Sequence, residues 1–267
     1  MLCYKYVSYE IFKKTITPYG VFFKVSRPAE FNDPYDCTGE VVGCASKALE
    51  ETYNQFTSQI LSPLKLDLSV KVQSRRLFDN IYRILSLSDS KVNGTPGDML
   101  MWSHYADYAR GVRIGIEIDT SKYHIVKINY AKELPILDLD MVKQWDIYDD
   151  ETLNRFLKAC LLTKHEIWGY ENEQRVFFKV NDPEVNPFSI LDARRSTSEA
   201  MMIWNPDKSV IREVCLGSEF LQKEKTYQAV DNYYKVLFDS GYAFKPIDAI
   251  RRKQYGYGLR DHEICSE

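Results

Sequence analysis

Several short motifs that identify large enzyme classes are missing from this 267-residue sequence. It has no HExxH zinc motif, no P-loop, no GxGxxG fingerprint and no GxSxG nucleophile elbow. These absences argue against a metalloprotease, a nucleotide kinase and a serine hydrolase of the usual kinds. Internal repeats, low-complexity stretches and long linkers are lacking as well, so we expect a single domain over residues 1–267.

Paired cysteines, long apolar runs and a strong excess of one charge are also lacking. The six cysteines form no CxxC pair, and none lies at zinc-finger spacing from a histidine, so no metal site is predicted. No apolar run reaches the roughly 18 residues that span a membrane. The net charge of −3 argues against a protein whose whole surface binds phosphate backbones. Because the chain opens without a basic region followed by an apolar segment, we expect a cytoplasmic protein with reduced cysteines and no membrane partner.

Aromatic side chains are abundant, with 19 Tyr, 13 Phe and 4 Trp. Tyrosine combines an apolar ring with a polar hydroxyl, which suits clefts that hold planar ligands. Ordinary packing in the core and at the surface explains such a surplus equally well.

Hydrophobic periodicity predicts a mixture of strands and helices. Strand patterns cover residues 2–8, 21–25, 112–118, 127–131, 210–217 and 243–251. Helical spacing covers residues 9–14, 99–109, 150–164 and 224–241, and it also runs through most of 45–90. The patterns predict an α+β fold with a helical insertion at about residues 45–98.

The most distinctive polar pattern is the segment ENEQR at 171–175. In a strand, alternation places Glu171, Glu173 and Arg175 on one face, with the carboxylates roughly 7 Å apart along the chain. The guanidinium would keep at least one carboxylate ionised. Such a face is costly to bury unless water or a ligand pairs with it, so we interpret it as a candidate catalytic site that Lys164 can reach. A solvent-exposed strand face with ordinary ion pairs explains the same pattern.

Two further segments contain candidate ligand-binding residues. In the helix pattern around His104, the imidazole can donate to a phosphate or ribose oxygen, and Trp102 or Tyr105 can stack on a planar ring. A histidine beside apolar residues is equally typical of a hydrogen-bonded core. Asn32 and Asp33 precede a proline, and such a run forms a turn without any ligand.

The chain resembles a widespread bacterial domain of unknown function. The resemblance rests on YKY at 4–6, FNDPYD at 31–36, MWSHYADYARGV at 101–112, WGYENEQR at 168–175 and EVCLG at 213–217. It covers nearly the whole chain, but it implies no activity.

A more distant resemblance is to ADP-ribosyltransferases, especially those that modify nucleic acid. It rests on a short aromatic strand, a helix, a glycine and a second strand, followed much later by the Glu-x-Glu pair at 171–173. The resemblance implies a single domain with a split, mostly antiparallel central sheet that holds NAD, and it makes Glu173 the catalytic glutamate with Glu171 and Arg175 beside it. The residues expected to contact NAD are Lys5, Tyr6, Asn32, Asp33, Trp102, His104, Tyr105 and Lys164. Lys5 and Tyr6 stand where the superfamily usually has histidine or arginine.

We therefore expect an NAD-consuming transferase, a toxin or phage-defence effector that modifies nucleic acid or protein, with an antitoxin or chaperone as a further partner. Two alternatives stay open. One is a non-catalytic sensor that binds nucleic acid or a partner through aromatic rings and the Arg194-Arg195 pair. The other is a metal-dependent nuclease that uses Asp33, Asp36, Glu171, Glu173 and Lys164.

Overall fold

An antiparallel sheet lies at the centre of the fold, with short helices and smaller sheets around it. The computed structural model describes residues 1–42, 78–138, 150–180, 183–187, 202–220 and 235–242. Its strands are β1 (Leu2–Val7), β2 (Ile16–Thr17), β3 (Gly20–Val21), β4 (Phe23–Val25), β5 (Glu40–Val42), β6 (Tyr82–Asp89), β7 (Val112–Glu117), β8 (Ile125–Lys127), β9 (Asn129–Ala131), β10 (Ile136–Asp138), β11 (Thr163–His165), β12 (Glu173–Lys179), β13 (Val185–Pro187), β14 (Met202–Trp204) and β15 (Ile211–Leu216). Its α-helices are α1 (Tyr9–Thr15), α2 (Pro96–Tyr105) and α3 (Asp150–Leu162), and residues 235–239 are also helical.

The central sheet has six strands in the order β15-β7-β1-β6-β12-β8. Strand β1 pairs with β7 over six register positions, and β6 pairs with β12 over seven. Between β1 and β6, by contrast, the register covers only Cys3 with Asp89 and Tyr4 with Ser88. The sheet therefore consists of two well-paired halves that are joined over a short stretch.

A three-stranded sheet, β13-β14-β4, lies against the second half of the central sheet. Its attachment is a pair of main-chain hydrogen bonds between Ser26 and Ile84, 2.8 and 2.9 Å long. Trp204 stacks on Phe23 across the β4–β14 pair, with ring centroids 5.8 Å apart. Two-stranded pairings complete the described sheets, namely β2 with β3, β5 with β10 and β9 with β11.

Alternating apolar residues build the main core on one face of the central sheet. Val112, Ile114 and Ile116 on β7 are fully buried there, as the period of two in the sequence predicts. Helix α1 begins at Tyr9 because the Ser8 hydroxyl accepts a hydrogen bond from the Ile11 amide, and its Tyr9 side joins the same core. Burying this continuous apolar surface is the main source of stability for the fold.

Most element predictions that fall on described residues are confirmed. Five predicted elements occur in the structure. The strands predicted at 2–8 and 112–118 are β1 and β7, and the helices predicted at 9–14, 99–109 and 150–164 are α1, α2 and α3. The mixed α/β architecture and the mostly antiparallel central sheet are confirmed as well.

The prediction of helix through residues 82–90 is wrong, because Tyr82–Asp89 forms the central strand β6. Ile84, Leu85 and Leu87 are buried on both faces of the sheet, so apolar residues do not alternate along the strand. A strand covered on both faces produces an apolar run that periodicity cannot separate from a buried helix. The rest of the proposed insertion, residues 45–77, lies outside the described residues, as do the predicted strand at 243–251 and the Arg194-Arg195 pair.

Candidate active site

A cavity of about 250 Å³ lies where β1 and β6 part. Strand β6 pairs with β1 at Ser88 and Asp89 but not at its lower-numbered residues. At Ile84 it pairs with Ser26 instead. Between these two points the Ser86 carbonyl accepts a hydrogen bond from the Lys5 ammonium, 2.7 Å long. The gap in the sheet is therefore bridged by a side chain rather than by a ladder, which leaves room for a ligand beside it.

The cavity wall combines ionisable, phenolic and amide side chains. It includes Lys5, Tyr6, Asn32, Tyr105, Lys164, Glu171 and Glu173, all of them candidate site residues from the sequence. Ser26, Ser86 and Ser88 line it as well. Ligand pockets of proteins usually have about 300–1,000 Å³, so this cavity has room for a small molecule or for one end of a larger one.

Lys164 is the centre of a buried charge cluster that lines the cavity. Its Nζ lies 2.5 Å from Glu171 Oε2, 3.3 Å from Glu173 Oε2 and 3.8 Å from Asp36 Oδ2. The same ammonium lies 5.0 Å from the ring centroid of Trp168. Burial lowers the pKa of Lys164, but the neighbouring carboxylates outweigh this effect and raise it, so the side chain stays charged.

Arg175 is the second cation of the cluster and is completely buried. Its Nε donates to Glu173 Oε1 at 2.8 Å, and its Nη2 donates to Asp36 Oδ2 at 2.6 Å and to Glu173 Oε2 at 3.2 Å. Its Nη1 donates to the Leu161 carbonyl at 2.8 Å and to Cys37 Sγ at 3.2 Å. The planar fork thus fixes two carboxylates in one geometry, which a lysine could not do.

The environments of the two glutamates shift their pKa values in opposite directions. Burial opposes ionisation of Glu173, yet Arg175 and Lys164 overcome it and lower its pKa from 4.5 to about 2. Burial raises the pKa of Glu171 against the effect of Lys164, and the charge of Glu173 acts in the same upward direction. Glu173 is therefore a permanent anion, whereas Glu171 is the member of the pair that can exchange a proton. Such a division is typical of sites that carry out acid–base chemistry.

Lys5 is a third cation that lines the cavity. Burial lowers the pKa of its ammonium to about 8, although Glu173 and Glu171 act in the opposite direction. At neutral pH the group is positively charged and can attract an anionic ligand. It is also easier to deprotonate than an exposed lysine.

Glu171, Glu173 and Arg175 lie close together, as we predicted from the sequence. Regular strand alternation, which we expected to bring them together, is not the cause. Glu173 and Arg175 share a face of β12, whereas Glu171 ends a 3-10 helix (Glu166–Glu171) before the strand. At Asn172 the chain adopts a left-handed conformation with φ 44° and ψ 50°, which turns both glutamates toward Lys164. Asparagine tolerates this conformation better than most residues.

Tyr130 fixes the start of β12. Its hydroxyl accepts a hydrogen bond from the Glu173 amide at 2.8 Å, and Tyr130 lies opposite Lys164 in the parallel β9–β11 pair. Sequence reasoning missed this residue and also missed Asp36 as the second partner of Arg175. Asp36 lies in the FNDPYD segment, but nothing local in that segment indicates an arginine 139 positions away.

Three of the predicted ligand-binding residues lie outside the cavity wall. Trp102 is buried against Tyr6, with its ring edge-on at 5.3 Å between centroids. Asp33 closes the turn by accepting a hydrogen bond from the Tyr35 amide at 2.9 Å. His104 is exposed, and its Nδ1 lies 2.8 Å from the Tyr170 hydroxyl.

The aromatic residues that do line the cavity are held by polar partners. The Tyr6 hydroxyl donates to Asp98 Oδ1 at 2.7 Å. The Tyr105 hydroxyl donates to Glu171 Oε1 in a short hydrogen bond and also interacts with Asn32. These partners hold both rings in fixed orientations at the cavity, as a preformed binding site requires.

Comparison with known proteins gives one match. A family model described as a protein of unknown function (DUF2971) matches residues 101–176, from within α2 to within β12. The matched segment contains Tyr105, Lys164, Glu171 and Glu173, but not Lys5. No curated protein and no solved structure matches the chain.

The described residues contain neither a membrane-spanning helix nor a metal-binding cluster. No helix among them has both the length and the apolar character needed to cross a membrane. Nor does any group of three or more His, Cys, Asp or Glu side chains among them have an arrangement that could hold a metal ion.

Proposed function

We propose that this chain is an NAD-dependent ADP-ribosyltransferase-like enzyme. The observation that carries the proposal is the pair of carboxylates, Glu171 and Glu173, at a small cavity where the central sheet parts. One of them is kept ionised and the other is able to take up a proton. The family match leaves the activity open, so support for the transferase comes from this chemistry and from the resemblance of the Glu-x-Glu pair.

The ionised carboxylate suits the bond that must break. Departure of nicotinamide takes the electron pair of the ribosyl C1′–N bond and leaves positive, oxocarbenium-like charge on the sugar. A fixed anion at that position stabilises the charge as it develops. Glu173 is such an anion, since Arg175 and Lys164 hold its carboxylate in place and ionised.

Glu171 suits the second half of the reaction. An acceptor O–H or N–H attacks C1′, forms the new glycosidic bond and must lose one proton. A carboxylate with a raised pKa accepts this proton more readily than one with an ordinary pKa. The products are nicotinamide, the ADP-ribosylated acceptor and one proton.

The cavity and Lys5 suggest how NAD would lie. A volume of about 250 Å³ is enough for the nicotinamide ribose end, with the adenylate outside. Lys5, which lines the cavity and is charged at neutral pH, would attract the diphosphate. In this arrangement Tyr6 and Tyr105 would contact the nicotinamide ring or its ribose.

The biological setting that we propose is a cytoplasmic toxin or phage-defence effector. Its acceptor would be nucleic acid or protein, and an antitoxin or chaperone would be a further partner. The non-catalytic sensor and the metal-dependent nuclease are the competing functions. In the site itself, the carboxylates already share Lys164 and Arg175 as counterions, which favours glycosyl transfer over a reaction that needs them as metal ligands.

The test is transfer of label from NAD. Adenylate-labelled NAD would be incubated with the purified chain and, separately, with cellular RNA, DNA and protein, while nicotinamide release is followed in parallel. We expect Glu173→Gln and Glu171→Gln each to lower transfer by about 10²-fold or more, as removal of a catalytic group usually does. Circular dichroism and thermal melts would show that the variants are folded.

Glu117→Gln is the matched control, because Glu117 is an exposed strand carboxylate that pairs with Arg212 at the surface. It should transfer label like the wild type. If the wild type yields no labelled product and no nicotinamide, and NAD causes no thermal shift, the proposal fails. Cleavage of nucleic acid that EDTA abolishes would favour the nuclease, whereas binding unaffected by Glu173→Gln would favour the sensor.

A further inference from the structure

We infer that Tyr105, Tyr170 and His104 form a hydrogen-bonded path that carries the proton of the proposed reaction from Glu171 to solvent. The inference rests on the proposed function, since the proton is the one that the acceptor loses. It assigns His104 a role outside the cavity, away from any contact with NAD.

The path begins at the cavity and ends at the surface. The Tyr105 hydroxyl is hydrogen-bonded to Glu171 Oε1, and both side chains line the cavity. Tyr105 and Tyr170 both pack against the ring of His104. The polar influence of Tyr105 lowers the pKa of Tyr170, against burial, which raises that pKa to about 12. The Tyr170 hydroxyl lies 2.8 Å from Nδ1 of His104, which is exposed.

The rings are also packed so that these contacts persist. The rings of His104 and Tyr170 meet edge-on with centroids 5.6 Å apart, and those of His104 and Tyr105 are 6.3 Å apart. Helix α2 supplies His104 and Tyr105 at adjacent positions, and the 3-10 helix supplies Tyr170 next to Glu171. Edge-to-face pairs of this kind favour one mutual orientation.

Among the described residues, the other groups around Glu171 do not offer the proton an exit. Glu171 is only 4% exposed, and a substrate in the cavity would separate it from bulk water. Its second oxygen faces Lys164, whose ammonium keeps its own proton because its pKa is raised. Lys5 donates to the Ser86 carbonyl instead. The Tyr105 hydroxyl is then the group through which Glu171 can pass a proton on.

The transfer balances at each step. Protonated Glu171 donates to the Tyr105 oxygen while Tyr105 passes its own proton to Tyr170. Tyr170 in turn donates to Nδ1 of neutral His104, and the exposed ring loses a proton from Nε2 to water. Each group gains one proton and loses one, so a single proton moves from the carboxyl to solvent. Imidazole is the side chain best suited to the last step, because it exchanges protons readily near neutral pH.

The test is chemical rescue of two variants in the labelled-NAD assay. In dilute buffer, His104→Ala and Tyr170→Phe should each lower kcat by about one to two orders of magnitude, at or below the lower end of what positioned acid–base groups contribute, with KM for NAD unchanged. Added imidazole should restore kcat of His104→Ala, since free imidazole can take the proton from Tyr170. It should not restore Tyr170→Phe, in which the hydroxyl before the imidazole is missing.

His124→Ala is the matched control, because His124 is another exposed histidine, immediately before β8. It should behave like the wild type with and without imidazole. Wild-type kcat in His104→Ala, or a loss that imidazole fails to restore, overturns the path while leaving the proposed transferase intact. If the wild type itself neither transfers label nor releases nicotinamide, the proposed reaction and the path both fail.

Discussion

Replacement of Arg175 by methionine tests whether the buried cluster holds this part of the fold together. Methionine keeps much of the length and apolar volume of the arginine stem but removes the guanidinium. The change deletes the contacts to Glu173 and Asp36 and the donors to Leu161 and Cys37. Among the described residues, Lys164 would then be the cation left within 4 Å of the three buried carboxylates.

The expected cost follows from the burial of both partners. Removing one member of a buried ion pair costs about 3–5 kcal/mol, because the other charge is left uncompensated away from water. Arg175 is fully buried and Asp36 and Glu173 nearly so, so solvent cannot replace the lost contacts. Typical domains unfold with about 5–15 kcal/mol, so the variant should lose a large part of its stability. At about 2–4 °C per kcal/mol for a chain of this size, the Tm should fall by about 6–20 °C.

Urea unfolding followed by circular dichroism measures the change. Arg212→Met is the matched control, since Arg212 forms an exposed ion pair with Glu117, 2.5 Å long, and such pairs contribute about 0–1 kcal/mol. The double variant Glu173→Gln/Arg175→Met should cost less than the sum of its single changes, because the two side chains interact directly. A loss below about 1 kcal/mol for Arg175→Met would refute the reasoning, given that loss of a buried partner is expected to be severe.

Three further predictions concern pH, ligand charge and backbone packing. The pKa of Glu173 in the folded protein is about 2, below its ordinary 4.5, so its contribution to stability is present above pH 4.5 and is lost on acidification. The unfolding free energy of Glu173→Gln should therefore fall less between pH 4.5 and 2 than that of the wild type. The Lys5 charge is lost above its pKa of about 8, so affinity for NAD, measured by calorimetry, should weaken above pH 8 in the wild type but not in Lys5→Met. Gly217→Ala should destabilise the fold by about 1–3 kcal/mol in urea unfolding, since a Cβ there would lie 2.1 Å from the Ala109 carbonyl oxygen. Gly169→Ala is its control, because the nearest atom to a Cβ lies at 3.9 Å, and an equal loss in both would contradict the packing argument.

Local patterns predicted much of the architecture. The strict alternation of Val112–Ile118 and the helical spacing of residues 9–14 were sufficient to place β7 and α1, because strands and helices have distinct apolar periods. Strand β6 could not be recognised, since it is covered on both faces and its apolar residues do not alternate. Hydrophobic periodicity shows which face of an element is buried. When both faces are buried, the sequence has no apolar–polar pattern from which to recognise the element.

The sequence by itself determined which side chains carry the charge of the candidate site: Glu171, Glu173, Arg175 and Lys164 lie within 12 positions of one another. Only the tertiary structure decided which of them faces the cavity and which holds another in place. Asp36 reaches this cluster from a distant position, and Lys5 lines the same cavity from β1. The turn at Asn172 aligns glutamates that a regular strand would align differently. The physical reason is that ionisation depends on burial and on neighbouring charges within a few ångströms, and these are set by the packing of separate elements rather than by spacing along the chain.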